Sequence, residues 1–364
     1  MADAEAEIKI PKTYKAVVYD KPGTISTKVV ELETPEPGMG EVLINLTHSG
    51  VCHSDLGIMT NSWPALPYPT PAGQVGGHEG VGKVVKLGPG CERSGVKVGA
   101  RVGVKWVASI CDNCAACREG HDANCFKQKI SGYHHPGTFA QYLISSASYV
   151  TPIPACLPSQ LAAPFLCAGL TAYSALRKSG ARAGDQIAIL GSGGGLGHIA
   201  VQLATRGMGL RVVAVDAESK RGISVASGAE AFVAHTAPDV VGAVRGASDG
   251  GVGVRAVLVL AGADAAYDGA VGMLRFGGRV VCVGVPEGEG KPVRGCVPVS
   301  VVARELSVVG CAVGGRREAD EVLGFAARGV VEVRVREERM EGLTGVFEEM
   351  ERGMLEGRVV LSLE

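Results

Sequence analysis

The sequence lacks the features that mark several large classes of protein. No run of about eighteen apolar residues occurs, so we expect no membrane-spanning helix. No polybasic run occurs either, and 36 basic residues against 37 acidic ones leave a net charge of −1. This balance argues against nucleic acid or an anionic membrane surface as a partner. Residues 1–15 mix charges without an apolar core, so they do not predict a signal peptide.

The composition that remains is typical of a globular chain with two domains. Its 364 residues are enough for two substantial cores, and 46% hydrophobic with 20% charged residues excludes a disordered protein. Eleven cysteines without an export signal indicate metal ligands and reduced thiols rather than disulfides. We therefore expect a cytoplasmic protein.

The predicted secondary structure changes character at about residue 160. Before that point, short strands alternate with Pro- and Gly-rich turns, which predicts a compact β-domain; these strands are Lys15–Tyr19, Glu41–Ser49, Val81–Leu87 and Arg101–Trp106. After it, apolar strands alternate with helices, which predicts a doubly wound parallel sheet covered on both faces. Its six strands are predicted at Gln186–Leu190, Arg211–Val215, Ala231–Ala234, Ala256–Leu260, Arg279–Gly284 and Leu306–Gly310. The chain then ends with a helix, a strand, a helix and a strand, at Arg317–Arg328, Val330–Val335, Leu343–Arg352 and Val359–Leu363.

Four cysteines lie close together in the sequence, at Cys111, Cys114, Cys117 and Cys125, separated by two, two and seven residues. Two-residue gaps let neighbouring thiolates reach one ion, and four thiolates form a closed tetrahedral structural zinc site. A disulfide pair and a four-iron cluster are the alternatives. The cytoplasmic setting disfavours the first, and the different spacing of ferredoxin cysteines disfavours the second.

A glycine-rich turn follows the first strand of the predicted parallel sheet. Residues 191–197 read G-S-G-G-G-L-G between that strand and the predicted helix His198–Arg206. Such a turn leaves backbone N–H groups and a positive helix end free to bind a pyrophosphate. The spacing is not a literal G-x-G-x-x-G, because Ser192 stands at its first position. A plain tight turn therefore remains the alternative.

Asp216 ends the next strand, nineteen residues after Gly197, where a carboxylate would bind the ribose hydroxyls of a dinucleotide. A carboxylate at this position repels a 2′-phosphate, so NAD is favoured over NADP. Lys220 and Arg221 keep NADP open, although both residues also suit a solvated helix start.

Three short segments, Cys52–Asp55 (C-H-S-D), Gly77–Gly80 (G-H-E-G) and Leu166–Gly169 (L-C-A-G), are uninformative one by one. They occur here together with the four cysteines, the glycine-rich turn, the V-V-G motif at 308–310 and the G-R-V-V motif at 357–360. With these motifs in this order, the chain resembles the zinc-dependent medium-chain alcohol dehydrogenases over essentially its whole length, most closely the fungal, yeast-type branch. The resemblance implies a GroES-like catalytic domain (1–165), a Rossmann coenzyme domain (166–305) and a C-terminal segment (306–364) that returns to the catalytic domain.

The resemblance also implies a role for each matching residue. A catalytic zinc would be held by Cys52, His78 and Cys167, with Glu79 as a close neighbour or alternate ligand. Asp55 would orient His78 through its other ring nitrogen, and Ser54 would bind the substrate hydroxyl and take its proton. The positions matched to cofactor contacts are His53, Gly191, Gly194, Gly195, Leu196, Gly197, Asp216, Lys220, Val283, Val285 and Arg358.

The activity implied is reversible, NAD-linked oxidation of small primary or secondary alcohols to aldehydes or ketones, with two zinc ions per subunit. The implied assembly is a homo-oligomer, either a tetramer or a dimer. A zinc-free quinone or enoyl reductase on the same fold is one alternative, which the intact ligand segments disfavour. A non-catalytic protein that kept the fold is the other, and Gly57 is the only chemical hint of it.

Three positions depart from the yeast-type pattern. Gly57 stands where these enzymes usually carry a histidine that passes the proton to solvent, so a water or the cofactor ribose would complete the relay. The pocket tryptophans are matched by Trp63 and Trp106, but Ser54 replaces threonine and Val285 replaces methionine. Both replacements remove volume, which predicts tolerance of alcohols bulkier than ethanol, unless other side chains fill the space.

Overall fold

The computed structural model describes residues 9–63, 66–288 and 290–364. The prediction that residues 1–15 are no signal peptide falls partly on residues 1–8, which lie outside the described ranges. Within these ranges, no helix is both long enough and apolar enough to cross a bilayer.

The described strands, in chain order, are β1 (Thr13–Tyr19), β2 (Thr27–Glu33), β3 (Glu41–Val51), β4 (Gly80–Leu87), β5 (Arg101–Val104), β6 (Val107–Ser109), β7 (Lys129–Ile130), β8 (Tyr142–Ser146), β9 (Thr151–Pro152), β10 (Gln186–Leu190), β11 (Arg211–Asp216), β12 (Ala231–Ala234), β13 (Val254–Val259), β14 (Leu274–Cys282), β15 (Ser307–Gly310), β16 (Val335–Arg339) and β17 (Arg358–Ser362). The α-helices are α1 (His53–Thr60), α2 (Ala115–Arg118), α3 (Ser159–Ala162), α4 (Ala168–Lys178), α5 (Gly197–Gln202), α6 (Arg221–Ala226), α7 (Val240–Gly246), α8 (Asp264–Asp268), α9 (Ala270–Met273), α10 (Pro298–Arg304), α11 (Arg316–Ala327) and α12 (Leu343–Glu351).

Six parallel strands form one sheet in the order β12-β11-β10-β13-β14-β15. Every residue of β10 is buried, and its side chains alternate between two cores. Ile187 and Ile189 pack on one face, and Ala188 and Leu190 pack on the other. The strand order reverses between β10 and β13, so the crevice beyond their carboxyl ends is where such sheets bind ligands. The predicted doubly wound sheet is confirmed.

A second, seven-stranded sheet follows the order β16-β17-β3-β4-β5-β9, and β8 also pairs with β3. Its two C-terminal strands arrive from the far end of the chain, since Val359 of β17 lies opposite Val51 of β3. This sheet and the β1–β2 hairpin make up the β-rich, GroES-like part, so the predicted fold class is confirmed. The exact domain boundaries stay a prediction.

Two predicted strands differ from the structure. Arg101–Trp106 is divided, because β5 ends at Val104 and β6 begins at Val107. The predicted strand Val330–Val335 is wrong, and β16 starts only at Val335. The backbone of Glu332 bonds the side chain of Gln202 at both its N–H and its carbonyl, and the Arg334 N–H donates to His198 Nε2. Because these groups bind side chains of α5, they are not available to a neighbouring strand.

Candidate metal centre and coenzyme cleft

Four buried side chains from separate parts of the chain converge on one point. They lie at the ends of regular elements: Cys52 precedes α1, His78 and Glu79 precede β4, and Cys167 precedes α4. One ligand atom from each lies within 4.8 Å of the others. The two cysteine Sγ atoms are 4.0 Å apart. The sequence segments that looked uninformative one by one therefore meet in space.

The two thiols both lie at the N-terminal end of a helix. Each is the N-cap residue of a helix, where the partial positive charge of the helix end stabilises a thiolate. The pKa of Cys52 is lowered, first by its hydrogen bond with Cys167 and further by the His78 ring, while burial opposes the shift. The same hydrogen bond, together with burial, raises the pKa of Cys167, so Cys52 is the thiol that ionises first. Thiolates are the form in which cysteines bind metal.

Asp55 fixes the orientation of His78. Its Oδ1 lies 2.8 Å from His78 Nδ1, and its Oδ2 accepts the Cys52 N–H at 2.9 Å. With Nδ1–H directed at the carboxylate, the lone pair of Nε2 faces the two thiols. Nε2 is buried and has no hydrogen-bond partner among the described residues. An unpartnered imidazole nitrogen beside two sulfurs is a donor set that fits zinc, with one position left for a fourth ligand.

Glu79 connects this centre to the far end of the chain. Burial raises the pKa of its carboxyl to about 7, although the neighbouring Arg358 opposes the shift. The Arg358 guanidinium donates to Glu79 Oε1, and both side chains are buried. Arg358 also touches the glycine-rich turn, since a Cβ at Gly195 would lie 2.9 Å from its Cδ. One guanidinium thus lies between the candidate metal centre and the turn.

The four cysteines at 111–125 form a second, separate cluster, which we call the cysteine lobe. Cys114 and Cys117 are 3.5 Å apart, Cys111 and Cys125 are 3.6 Å apart, and all four Sγ atoms lie within 4.8 Å of one another. The N–H groups of Cys111 and Lys127 point at the sulfur of Cys125. Four thiols with backbone donors fit a closed metal site without room for a substrate.

The glycine-rich turn lies at the point where the strand order reverses. Gly191 has a φ of +86°, which a residue with a side chain rarely adopts, and helix α5 begins at Gly197. Asp216, at the end of β11, accepts N–H groups from Gly193 and Ala217 at 2.7 Å each. Lys220 lies in the segment before α6, and its ammonium donates to the Leu355 carbonyl at 3.2 Å. Among the predicted cofactor residues, Asp216 and Lys220 thus lie beside the turn, as does Arg358, which packs against Gly195.

A cavity of about 1060 Å³ joins the metal centre to the crevice of the parallel sheet. The predicted residues that line it are Cys52, His53, Ser54, Trp63, Trp106, Cys167, Leu196, Val283 and Val285. Ser54 Oγ lies 3.7 Å from the sulfur of Cys52. Val285 is 55% exposed, so its side chain stands in the open part of the cavity and does not fill it.

Gly57 is covered by Trp63. A Cβ at Gly57 would lie 3.0 Å from two atoms of the indole ring, so the ring occupies the space that a side chain here would need. Trp63 Nε1 is buried and lacks a partner in the described part of the chain. Trp106 packs edge-on against both Trp63 and the ring of His78.

Sequence reasoning missed one wall of the cavity. Cys311, to which the sequence assigned no role, lines it together with Ala312 and Val313. The segment directly follows β15, at the carboxyl edge of the sheet. Val313 has a φ of +48°, which is a strained backbone conformation for a β-branched residue. The adjacent V-V-G motif at 308–310 was the only signal that could have drawn attention to this segment.

Comparison with known proteins agrees with this architecture. Residues 38–155 match the alcohol dehydrogenase GroES-like domain, and residues 195–328 match the zinc-binding dehydrogenase domain. Alcohol dehydrogenase 2 of Emericella nidulans is 56% identical over 98% of this chain and 99% of its own length. Among solved structures, the alcohol dehydrogenase of Aeropyrum pernix superposes with a TM-score of 0.85 at 30% identity, covering 96% of this chain and 99% of that one. The acetophenone reductase of Geotrichum candidum in complex with NAD gives 0.82 at 29% identity, covering 97% and 98%. The chain is an oxidoreductase and belongs to the zinc-dependent medium-chain alcohol dehydrogenase family, in its fungal branch.

Proposed function

We propose that this alcohol dehydrogenase is NAD-linked and holds two zinc ions per subunit, one catalytic and one structural. The observation that carries the proposal is the convergence of Cys52, His78 and Cys167 at a cavity that also reaches the coenzyme crevice. The cysteine lobe supplies the second metal site, away from the cavity. Both ligand sets are complete, which disfavours a zinc-free quinone or enoyl reductase and a non-catalytic homologue.

The residues around the cavity divide the reaction between them. A zinc ion held here would supply Lewis-acid polarisation of the substrate oxygen, and a bound nicotinamide would accept the hydride. Cys52, His78 and Cys167 hold the ion, and Glu79 stands beside it as a neighbour or alternate ligand. Ser54 hydrogen-bonds the alcohol and takes its proton. Trp63, Trp106 and Val285 form the walls of the cavity around the substrate.

The coenzyme is held from both sides of the crevice. The backbone of Gly191, Gly194, Gly195, Leu196 and Gly197 binds the pyrophosphate, together with His53 and Arg358. Val283 and Val285 contact the nicotinamide end. Asp216 receives the adenosine ribose, and its charge disfavours the 2′-phosphate of NADP. Lys220 already donates to Leu355, and Arg221 pairs with Glu218, which supports the preference for NAD.

Gly57 offers no base to take the proton from the Ser54 hydroxyl, so the ribose of a bound cofactor or a water would take it. The test is Gly57→His, with Gly57→Ala as the control that adds the Cβ contact with Trp63 but no base. We expect the histidine variant to turn over faster than the alanine variant at neutral pH, since it restores general-base assistance. Equal pH–rate profiles for the two variants would contradict this relay.

The substrates are alcohols bulkier than ethanol, including branched, secondary or aromatic ones, and their carbonyl products. The cavity volume and the open position of Val285 support this choice. The test is a screen with NAD and NADP across primary, secondary and aromatic alcohols, with zinc quantified in the same preparation. Two zinc ions per chain, NAD preference and turnover of four- to six-carbon alcohols are expected. Ethanol strongly preferred, or zinc absent, would overturn the assignment.

We also propose a homo-oligomer, a tetramer or a dimer, in the cytoplasm. β15 is the last strand of the parallel sheet and has no partner on its outer side within the described residues. Beside it, Val299 and Val302 of α10 are 74% and 77% exposed, an apolar surface suited to a second copy. Free cysteines throughout the chain suit a reducing compartment. Light scattering of the purified protein tests the assembly, and a monomer at micromolar concentration would exclude it.

A further inference from the structure

Lys105 is a buried lysine that takes no part in the proposed reaction. Its side chain is 2% exposed, and burial lowers its pKa to about 7. The ammonium donates to the Tyr149 carbonyl at 2.7 Å and to Thr151 Oγ1 at 3.1 Å, and it lies 3.8 Å from the centre of the Tyr149 ring. An apolar residue of similar volume is often at least as stable in such a place. The stability of the fold alone therefore does not explain why a lysine stands at position 105.

Lys105 directly precedes Trp106, which forms part of the cavity wall and packs against His78. The backbone here is anchored by Ser131, whose hydroxyl donates to the Lys105 carbonyl at 2.8 Å and whose N–H donates to the Trp106 carbonyl at 3.0 Å. With its carbonyl held by Ser131 and its ammonium held by Tyr149, Lys105 restricts where Trp106 can stand.

Asp122 connects the same tyrosine to the cysteine lobe. It lies between Cys117 and Cys125 and is 5% exposed. Its Oδ2 lies 3.4 Å from the Tyr149 hydroxyl and accepts both the backbone N–H and Nε–H of Arg316 at 3.1 Å each. The Arg316 guanidinium is 5.3 Å from the centre of the Tyr149 ring. Two cations and one buried carboxylate are thus grouped around one aromatic side chain.

Arg316 begins α11, three residues after Val313 on the cavity wall. The strained backbone of Val313 persists only where its surroundings hold it. On one side, the Cys311 thiol lies 3.5 Å from the Val313 carbonyl oxygen; on the other, the Arg316 N–H is held by Asp122. The carboxylate of the lobe therefore also fixes the chain that leaves this wall.

We propose that a positioning cluster ties the cysteine lobe to both the Trp106 wall and the Cys311–Val313 wall of the substrate cavity; its members are Lys105, Asp122, Tyr149 and Arg316. The name "substrate cavity" rests on the proposed function, but the structural link between the lobe and the cavity walls does not. The lobe sets the width of the cavity through this cluster, in addition to bracing the fold. None of the four residues touches the reacting atoms.

The two tryptophans of the chain, Trp63 and Trp106, both line the cavity, so fluorescence reports on its walls. In a Trp63→Phe background, Trp106 is the single emitter. Asp122→Asn should shift its emission maximum and raise its quenching by acrylamide in the folded protein, without alcohol or coenzyme present. Asp112→Asn is the matched control, because Asp112 binds the same guanidinium at 2.9 Å but is an exposed partner. The control should leave the emission unchanged.

Kinetics with both tryptophans present provides the second readout. Asp122→Asn and Lys105→Met should each raise the KM for a bulky alcohol about three- to tenfold, as for residues in one network. The KM for NAD and the zinc content should stay at wild-type values. If Asp122→Asn loses zinc or fails to fold, Lys105→Met decides, since it leaves the lobe untouched. Emission and alcohol KM equal to those of Asp112→Asn would overturn the proposal, whereas inactivity of the wild type would overturn only the proposed function.

Discussion

Asp55 provides the sharpest test of the candidate metal centre, because each of its two carboxylate oxygens accepts one hydrogen bond. Oδ1 faces His78 Nδ1 at 2.8 Å and Oδ2 faces the Cys52 N–H at 2.9 Å, and all three residues are buried. The variant Asp55→Asn keeps the shape but replaces one oxygen by an NH2 group. An amide accepts at one side only, so one of the two donors must then face another donor.

The size of the effect of Asp55→Asn can be estimated in two ways, from the unpaired donor and from the loss of histidine orientation. A buried donor left without an acceptor costs about 1–3 kcal/mol. Loss of a group that orients a metal-bound histidine typically costs about 10–100-fold in metal affinity or activity, which is about 1.4–2.8 kcal/mol. The two estimates agree. We expect the variant to bind the catalytic zinc about 10–100-fold more weakly and to lose kcat/KM for alcohols by a similar factor.

The assay is competition with a zinc chelator, read as zinc per chain, together with steady-state kinetics at saturating zinc. The control is Asp239→Asn, which changes the same atoms at the N-cap of α7, where asparagine caps as well as aspartate. The lobe zinc should survive in both variants. A variant at Asp55 with wild-type zinc affinity and wild-type kcat/KM would refute the assignment of His78 as a ligand oriented by Asp55.

Three further predictions concern the lobe, the pocket and the buried lysine. Cys114→Ser should lose one zinc per chain by elemental analysis and unfold at a lower temperature, because structural zinc contributes about 10–16 kcal/mol in small zinc peptides; replacement of the exposed Cys156 by serine should change neither. Val285→Met should lower kcat/KM for branched secondary alcohols relative to ethanol by about tenfold, since one methylene is worth about 1–3 kcal/mol in a pocket, and an unchanged ratio would contradict the pocket assignment. In the folded protein the pKa of Lys105 is lowered to about 7, so between about pH 7 and 10 the unfolded chain binds one proton more than the folded chain. The stability of the wild type relative to Lys105→Met should therefore rise with pH across this range and stay constant below about pH 7, as measured by urea unfolding.

Local sequence patterns predicted the elements whose stability is local. β10 carries a continuous apolar run because both of its faces are buried, and Gln186–Leu190 and Ala231–Ala234 occur where predicted. The strand Val330–Val335 failed because its backbone groups bind Gln202 and His198, more than 120 residues away in sequence. No alternation of valines can reveal such partners.

The parts of the candidate site also differ in how far the sequence could predict them. The cysteine lobe could be predicted directly because its ligands are close in sequence and their spacing suits one ion. The metal centre at Cys52 was predictable only through the family resemblance, since Cys52 and Cys167 are 115 residues apart. The role of Cys311 and the cluster around Asp122 depend on contacts between distant segments, so neither motif nor composition indicated them.

The residues of the metal centre are far apart in sequence for a structural reason. Each donor lies just before a regular element, so the starts of α1, β4 and α4 must meet before a metal can be held. β3, which leads into Cys52, is paired with β17 from the end of the chain, and β17 begins at Arg358. The residue that reaches both Glu79 and the glycine-rich turn therefore belongs to the last strand in the sequence. Because the metal centre and the coenzyme turn share this one guanidinium, the two sites are completed by the same long-range pairing, and the site forms only when the whole chain has folded.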